Sequence, residues 1–293
     1  MSARDTLTAL IAATVWGLTF IAIKFGVGEA PPFLLTALRF AFAAFPAILF
    51  VKPPKAPPAL VAIYGLLIGV GQFGLLFLAI KLGMPVGLAA VVIMLQAFIT
   101  ILLAWLFMGE TPSRIQLVAA GVAFAGICTI GSARLGGASF WPFALTVAAA
   151  GCWGAGNCVG KLAGRVDPLA LIVWSSLVAP APMLALSLVF EDRRALPALL
   201  HPSALLIACV AVLAYGGTLL SYGLWSRLLM RYPAAMVTPF ALLVPVIAMI
   251  AGRLIFAEPS SAIELAGALL VMAGLGLNVL GDRLLRRWLQ PVG

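Results

Sequence analysis

Apolar runs of roughly 20 residues, each long enough to cross a bilayer core of about 30 Å, follow one another almost without pause along the chain. Short clusters of proline, glycine and charged residues separate them. This pattern predicts ten membrane-spanning helices, at about 6–26, 31–51, 59–80, 86–107, 114–132, 140–162, 168–189, 203–226, 233–255 and 262–281. We therefore expect an all-α membrane protein with ten transmembrane helices.

The composition agrees with this prediction. Hydrophobic residues make up 64% of the 293 residues, charged residues make up only 9%, and the mean hydropathy is +1.18. A soluble globular protein would need more polar surface than this. The formal net charge of +9 is explained by membrane topology and by anionic lipid, so the expected partner is the bilayer and not nucleic acid.

The two halves of the chain carry the same motifs. Trp16-Gly17 followed by Lys24 returns as Trp153-Gly154 followed by Lys161, and Glu110, Gln116 and Gly126 return as Glu258, Glu264 and Gly274. Five spans is an odd number, so the second half should be inverted in the membrane relative to the first. The pattern predicts two five-helix repeats, 1–135 and 136–293, with the substrate path of a transporter between them.

The distribution of Lys and Arg predicts the orientation. The side of the membrane that holds the N-terminus collects the larger share of the 18 Lys and Arg residues, which favours both termini in the cytoplasm.

Metal, disulfide and catalytic motifs are not evident in the sequence. The four cysteines lie in apolar spans without CxxC spacing, and the single histidine, His201, has no ligands near it in the sequence. HExxH, Gly-x-Ser-x-Gly and paired carboxylates within the spans are missing, so we expect no metal, no cofactor and no enzyme activity. A channel stays open as an alternative, although the inverted halves favour alternating access.

Lys24 and Lys161 occupy corresponding positions in the first helix of the two predicted repeats. The helical period places Gly17 and Lys24 on one face of the first span and Gly154, Asn157 and Lys161 on one face of the sixth. The two lysines could act as cations near opposite ends of the path, where they attract a substrate carboxylate or help to close the path. They could equally extend their ammonium groups to the membrane surface.

Polar and aromatic side chains inside the apolar spans are the candidates for the substrate path. Gln96 is the clearest, because an amide in the middle of an apolar span needs a hydrogen-bond partner, supplied by a substrate, by water or by another helix. Arg39 and Trp225 also lie inside spans, and both Tyr222 and Trp225 could belong to the aromatic belt at the membrane surface. The predicted cavity residues, besides the two lysines, are Trp16, Thr19, Gln72, Gln96, Trp153, Asn157, Tyr215 and Tyr222.

These motifs resemble those of the EamA-type drug/metabolite transporter superfamily. The resemblance rests on Trp-Gly-Leu-Thr-Phe-Ile-Ala-Ile-Lys at 16–24, Leu-Arg-Phe at 38–40 and Met-Gly-Glu-Thr at 108–111, and it covers nearly the whole chain. Within the superfamily the chain is most similar to the YddG-type amino-acid exporters. The resemblance implies ten helices in two inverted repeats, a cavity lined mainly by helices one, three, four, six, eight and nine, and export from bacteria.

Two positions qualify the resemblance. The family commonly has a proline midway along the fourth span, where this chain has Ala97, so the bend of that helix is left open. Glu110 and Glu258 match the glutamate of the family's Gly-Glu motif at the ends of the fourth and ninth spans. We expect them to accept hydrogen bonds from backbone amides of the helix that follows.

The sequence predicts a bacterial inner-membrane exporter of small amphipathic metabolites, with neutral or aromatic amino acids as the favoured substrates. Alternative substrates are cationic or lipophilic drugs, or a different metabolite such as a nucleotide sugar. The scarcity of carboxylates within the spans favours export driven by the substrate gradient over proton coupling. The expected assembly is a monomer or a weak homodimer.

Overall fold

The computed structural model describes residues 1–134, 140–191 and 200–289, and regular structure in these ranges is entirely helical. Ten spans follow in order, with α7 built from two helices: α1 Ala3–Glu29, α2 Pro32–Leu49, α3 Pro58–Lys81, α4 Val86–Met108, α5 Arg114–Arg134, α6 Phe140–Leu162, α7 Pro168–Ser175 with Pro180–Phe190, α8 Ala204–Arg231, α9 Thr238–Phe256 and α10 Ala262–Leu289. The predicted number of spans is confirmed. The predicted boundary between the repeats, at 135–136, lies outside the described residues.

Two spans are less regular than the apolar pattern predicts. The two helices of α7 meet at 42°, and the second of them begins at Pro180. In α2 the α-helix ends at Ala44, and a 3₁₀ turn at Ala47–Leu49 follows Pro46. Proline lacks the N–H that would continue the helix, which explains why both irregularities lie beside a proline.

Four spans contain a stretch that departs from α-helical hydrogen bonding. Leu66–Gly74 in α3 and Val212–Leu220 in α8 are π-helical, while Ile93–Leu95 in α4 and Thr238–Leu242 in α9 are 3₁₀ helices. Since α4 has Ala97 in place of the family's proline, its irregular turn forms without one. Short π-helical and 3₁₀ stretches within longer helices are frequent at functional sites. Here they occur in α3, α4, α8 and α9, the spans that pack around the first helix of each half.

The helices pack in a pattern that is preserved when the two halves are exchanged. Helix α1 packs against α8 and α9, and its counterpart α6 packs against α3 and α4. A methyl group on Gly17 would lie 2.7 Å from Ile247 Cγ2, and one on Gly154 would lie 2.7 Å from Ile99 Cγ2. These repeat-related contacts support the two-repeat prediction. The inverted orientation of the halves stays a prediction.

Helices α5 and α10 form a close pair away from the first helix of each half. A methyl group on Gly126 would lie 2.6 Å from the carbonyl oxygen of Gly267, and one on Gly274 would lie 2.7 Å from that of Ala119. Missing side chains let the backbones of membrane helices approach each other, which strengthens van der Waals packing. Arg134 and Glu264 add a buried ion pair of 2.5 Å between the two helices.

The expected role of the Gly-Glu motif in capping the following helix is wrong. Serine-based capping boxes begin α5 and α10 instead: the Ser113 hydroxyl accepts from Gln116 N, and the Ser261 hydroxyl accepts from Glu264 N. The Glu258 carboxylate accepts from Val86 N at 2.9 Å, at the beginning of α4. Because α9 packs against α4, the end of one helix supplies a carboxylate to the positive N-terminus of the other.

The outer surface of the helices is apolar. Large hydrophobic side chains with at least half of their surface exposed occur in several helices, among them Leu106, Phe107, Phe124, Leu254 and Leu269. Such a surface is unfavourable in water and favourable in lipid. The chain is a multi-pass membrane protein.

Candidate functional site

A cavity of about 280 Å³ lies between the two halves. Seven helices contribute to its wall: α1 to α4 from the first half and α6, α8 and α9 from the second. Helix α2, which the resemblance did not include, contributes Arg39. The lining residues are Trp16, Thr19, Phe20, Ile23, Arg39, Tyr64, Gln72, Phe73, Leu76, Ile93, Met94, Gln96, Trp153, Asn157, Tyr222, Trp225, Ala241 and Val244.

The structure brings seven of the ten sequence-predicted site residues together around this cavity. They are Trp16, Thr19, Gln72, Gln96, Trp153, Asn157 and Tyr222. The other three, Tyr215, Lys24 and Lys161, do not line it. Contact between any of the ten and a substrate stays a prediction.

Aromatic rings from α1 and α8 form one part of the wall. The ring of Trp16 lies 5.3 Å from that of Tyr222 and 5.1 Å from that of Trp225, measured between centroids. The indole N–H of Trp16 donates to the carbonyl oxygen of Gly217 at 2.9 Å, which fixes the orientation of the ring. These rings provide an apolar surface of defined shape.

Two amides form a polar part of the wall where α4 meets α6. Asn157 Nδ2 donates to Gln96 Oε1 at 2.6 Å and to Thr100 Oγ1 at 3.0 Å. The Gln96 side chain therefore finds its partner on another helix, one of the possibilities that the sequence left open. Gln72, only 2% exposed, adds a third amide from the π-helical stretch of α3.

Arg39 contributes a fixed positive charge to the cavity. Its residue is 3% exposed, and its guanidinium carbon lies 3.8 Å from the centroid of the Phe73 ring. Nη2 donates to Thr218 Oγ1 at 3.3 Å, whereas Nε and Nη1 have no hydrogen-bond partner among the described residues. None of the ion pairs among the described residues includes Arg39.

The cavity residues Arg39, Tyr64 and Trp225 are not among the predicted site residues. For Arg39 a signal was available, because an arginine inside an apolar span usually faces the bundle interior or a water-filled cavity. Trp225, for which the sequence allows a place in the aromatic belt, stacks beside Trp16 at the cavity. Tyr64 gave no sequence signal that separates a cavity residue from a packed one.

Both repeat lysines lie beside the glutamate of the opposite half. Lys161 Nζ is 2.6 Å from Glu110 Oε2, and Lys24 Nζ is 3.9 Å from Glu258 Oε1. Lys161 and Glu258 belong to the second half, and Glu110 and Lys24 belong to the first, so the two pairs are related by exchange of the halves. The first pair is well exposed, with side-chain exposures of 43% and 51%, while Glu258 is only 13% exposed.

Tyr215 lies away from the cavity although the sequence grouped it with the site. It is 42% exposed and shares an outer groove with Leu38, Phe42 and Leu206. The π-helical turn in α8 contains both Tyr215 and Thr218, and it is Thr218 that points inward to Arg39.

Comparisons with known proteins agree with the resemblance seen in the sequence. The profile of the EamA-like transporter family matches residues 5–132 and 140–280. Two relatives carry the name "Probable amino-acid metabolite efflux pump". The one from Salmonella typhimurium is 41% identical over 98% of this chain and 98% of its own, and the one from Escherichia coli K12 is 38% identical over 97% of each. A crystal structure of another protein, 22% identical in sequence, shows the same fold with a TM-score of 0.64. The match covers 100% of this chain and 100% of that one.

Proposed function

The chain belongs to the EamA-like transporter family, and on this premise we propose that it exports small amphipathic metabolites across the bacterial inner membrane. Neutral amino acids, including aromatic ones, are the proposed substrates. The proposed route is alternating access through the cavity between the halves. Two full-length relatives named as amino-acid metabolite efflux pumps support both the direction and the substrate class.

The character of the cavity carries this proposal. Most of its wall is aliphatic or aromatic, and its polar groups are a few amides, hydroxyls and one arginine. Small-molecule sites typically combine an apolar wall with a small number of placed polar groups. A volume of about 280 Å³ lies at the lower end of the roughly 300–1,000 Å³ found for drug-sized ligands. The cavity therefore suits a solute that is small, mainly apolar and polar at one end.

The alternative substrates fit this wall less well. Among the described lining residues Arg39 is the only charged side chain, so a cationic drug would meet repulsion with no carboxylate to offset it. The phosphates of a nucleotide sugar would call for several cations, and the lining offers one. A zwitterionic amino acid has no net charge, so it requires neither a carboxylate nor several cations in the wall.

Counterflow in proteoliposomes tests the proposed function. Vesicles loaded with unlabelled L-phenylalanine should accumulate external labelled L-phenylalanine transiently, whether or not a pH gradient is imposed. A carrier shows this acceleration by trans substrate and a channel does not. Empty vesicles serve as one control, and counterflow of a labelled nucleotide sugar into vesicles loaded with the same unlabelled compound serves as the other. Counterflow of the nucleotide sugar without counterflow of L-phenylalanine would contradict the proposed substrate class.

Reporter fusions test the proposed orientation, with both termini in the cytoplasm. Fusions after Lys55, after Arg165 and at the C-terminus should report cytoplasm, and a fusion after Arg194 should report the opposite side. Cytoplasmic signal from the fusion after Arg194 would contradict the inverted arrangement of the halves.

A further inference from the structure

Arg39 is a buried cation whose charge the described part of the protein does not balance. A guanidinium in a low-dielectric interior normally has a carboxylate partner, because the loss of hydration is otherwise uncompensated. Water is replaced here by one Nη2 contact to a neutral hydroxyl and by aromatic rings, of which Phe73 lies nearest and Phe40 and Phe77 lie further away. The donors on Nε and Nη1 are left without acceptors in the described ranges.

The surroundings hold the guanidinium in place without neutralising it. Thr218 donates its own hydroxyl hydrogen to the carbonyl oxygen of Leu213 at 3.1 Å, so its oxygen is oriented to accept from Arg39. The guanidinium carbon lies over the Phe73 ring, 3.8 Å from its centroid. Both Phe73 and Thr218 belong to π-helical stretches, one in each half. Arg39 is thus positioned from both halves of the protein.

An arginine that lines a cavity and holds buried N–H donors without acceptors in the described ranges is a binding group for a carboxylate. Its planar arrangement of N–H donors matches the two carboxylate oxygens, and charge-assisted hydrogen bonds are about twice as strong as neutral ones. We propose that Arg39 binds the carboxylate of the transported metabolite in the central cavity. This inference rests on the proposed function, which it deepens by assigning the group that recognises the substrate's acidic end.

The proposal defines which solutes the cavity accepts. A solute with a carboxylate and an apolar body satisfies Arg39 and packs against the aromatic wall. The corresponding amine offers Arg39 no acceptor, and the amide offers a single neutral carbonyl oxygen in place of two charged ones. Donors of Arg39 are then left unsatisfied, which costs more than the loss of an ordinary contact. Selection by the carboxylate should therefore exceed selection by the shape of the side chain.

Three related probes separate the groups of the ligand. L-phenylalanine carries both the carboxylate and the amine, 3-phenylpropionate carries the carboxylate alone, and L-phenylalaninamide lacks the negative charge. Their binding to purified protein in detergent can be followed by tryptophan fluorescence, because Trp16, Trp153 and Trp225 line the cavity. In the wild type, L-phenylalanine should bind at least about tenfold more tightly than L-phenylalaninamide.

Variants of Arg39 test the assignment. Arg39→Met should weaken the binding of L-phenylalanine and 3-phenylpropionate at least about tenfold. It should bind L-phenylalaninamide, a cation that Arg39 repels, at least as tightly as the wild type does. Arg39→Lys should retain part of the preference for the carboxylate, because the charge remains while the planar geometry is lost. Arg227→Gln, which removes an arginine outside the cavity, is the matched control and should bind all three probes as the wild type does.

Thermal unfolding of the same variants separates binding from a structural role. Replacing an unpaired buried charge by an apolar side chain of similar size is often neutral or stabilising, so the unfolding temperature of Arg39→Met should equal or exceed that of the wild type. A lower unfolding temperature together with equal weakening of all three probes would assign Arg39 a structural role and overturn the proposal.

The remaining outcomes separate this inference from the proposed function. Tight binding of L-phenylalanine by Arg39→Met would overturn the inference and leave the proposed function intact. Arg39-dependent binding of 3-phenylpropionate without binding of L-phenylalanine would support the inference and contradict amino acids as substrates. Failure of the wild type to bind either carboxylate would overturn both.

Discussion

The close contact between α5 and α10 makes Gly126 intolerant of a single methyl group. In Gly126→Ala the new carbon would lie 2.6 Å from the carbonyl oxygen of Gly267 and 2.8 Å from Val271 N. Side-chain carbons essentially never approach another atom closer than 3.0 Å, and both obstacles are backbone atoms that cannot rotate away. The two helices must therefore separate by several tenths of an ångström, which reduces dispersion contacts along their interface.

The magnitude follows from two opposing effects. Overpacking a tight interface costs about 1–3 kcal/mol, while alanine is favoured over glycine inside a helix by about 1 kcal/mol. Gly121 lies in the same helix, and a methyl group placed there would have no atom within 4 Å. Gly121→Ala therefore gains the helix preference of alanine without any overpacking. The two variants should differ in free energy of unfolding by about 2 kcal/mol, roughly thirtyfold in the folding equilibrium.

Titration with sodium dodecyl sulfate in mixed micelles, followed by circular dichroism, measures this difference. Gly126→Ala should unfold at a lower detergent fraction than the wild type, and Gly121→Ala at the same or a higher one. In α10, Gly274→Ala and its control Gly276→Ala should repeat the result, because Gly274 meets the backbone of α5 whereas a methyl group on Gly276 would have nothing within 4 Å. Equal midpoints for Gly126→Ala and Gly121→Ala would refute the argument from close backbone approach.

Variants at three further positions address the site and its ends. Lys161→Met should change the free energy of unfolding by less than about 1 kcal/mol, since its pair with Glu110 is exposed, and a fall in counterflow rate at unchanged stability would assign the lysine a role in transport. Gln96→Ala should slow counterflow without loss of folded protein on size-exclusion chromatography, and an unaltered rate would remove this amide from the path. Glu258→Leu should lower the thermal unfolding temperature by more than Glu258→Gln, because only the leucine leaves Val86 N without a side-chain acceptor. Equal unfolding temperatures for the two would show that this cap does not stabilise the protein.

The number and approximate positions of the spans could be predicted from the sequence for a simple reason. A bilayer requires each crossing to be apolar, helical and about 20 residues long, so hydropathy alone marks the spans. The kink in α7 and the π-helical stretches are harder to predict from the sequence. They arise where neighbouring helices compensate for missing or displaced backbone hydrogen bonds, and such compensation depends on tertiary contacts.

The candidate site was only partly predictable. Polar residues such as Gln72 and Gln96 stand out in apolar spans, and both line the cavity. Tyr215 stands out just as clearly, yet it lies on an outer groove. The rotation of α8 around its π-helical stretch decides which of Tyr215 and Thr218 faces inward, and residue type alone does not encode that rotation.

The sequence by itself determined the membrane environment, the ten helices, the duplicated motifs and the family, because these follow from hydropathy and from residue identity. Only the tertiary structure decided which partners the charged side chains have. It pairs each repeat lysine with the glutamate of the opposite half, and it places Arg39 at the cavity with Nε and Nη1 unpaired among the described residues. Pairing depends on which atoms lie within a few ångströms across helices that are distant in sequence, and packing alone sets those distances.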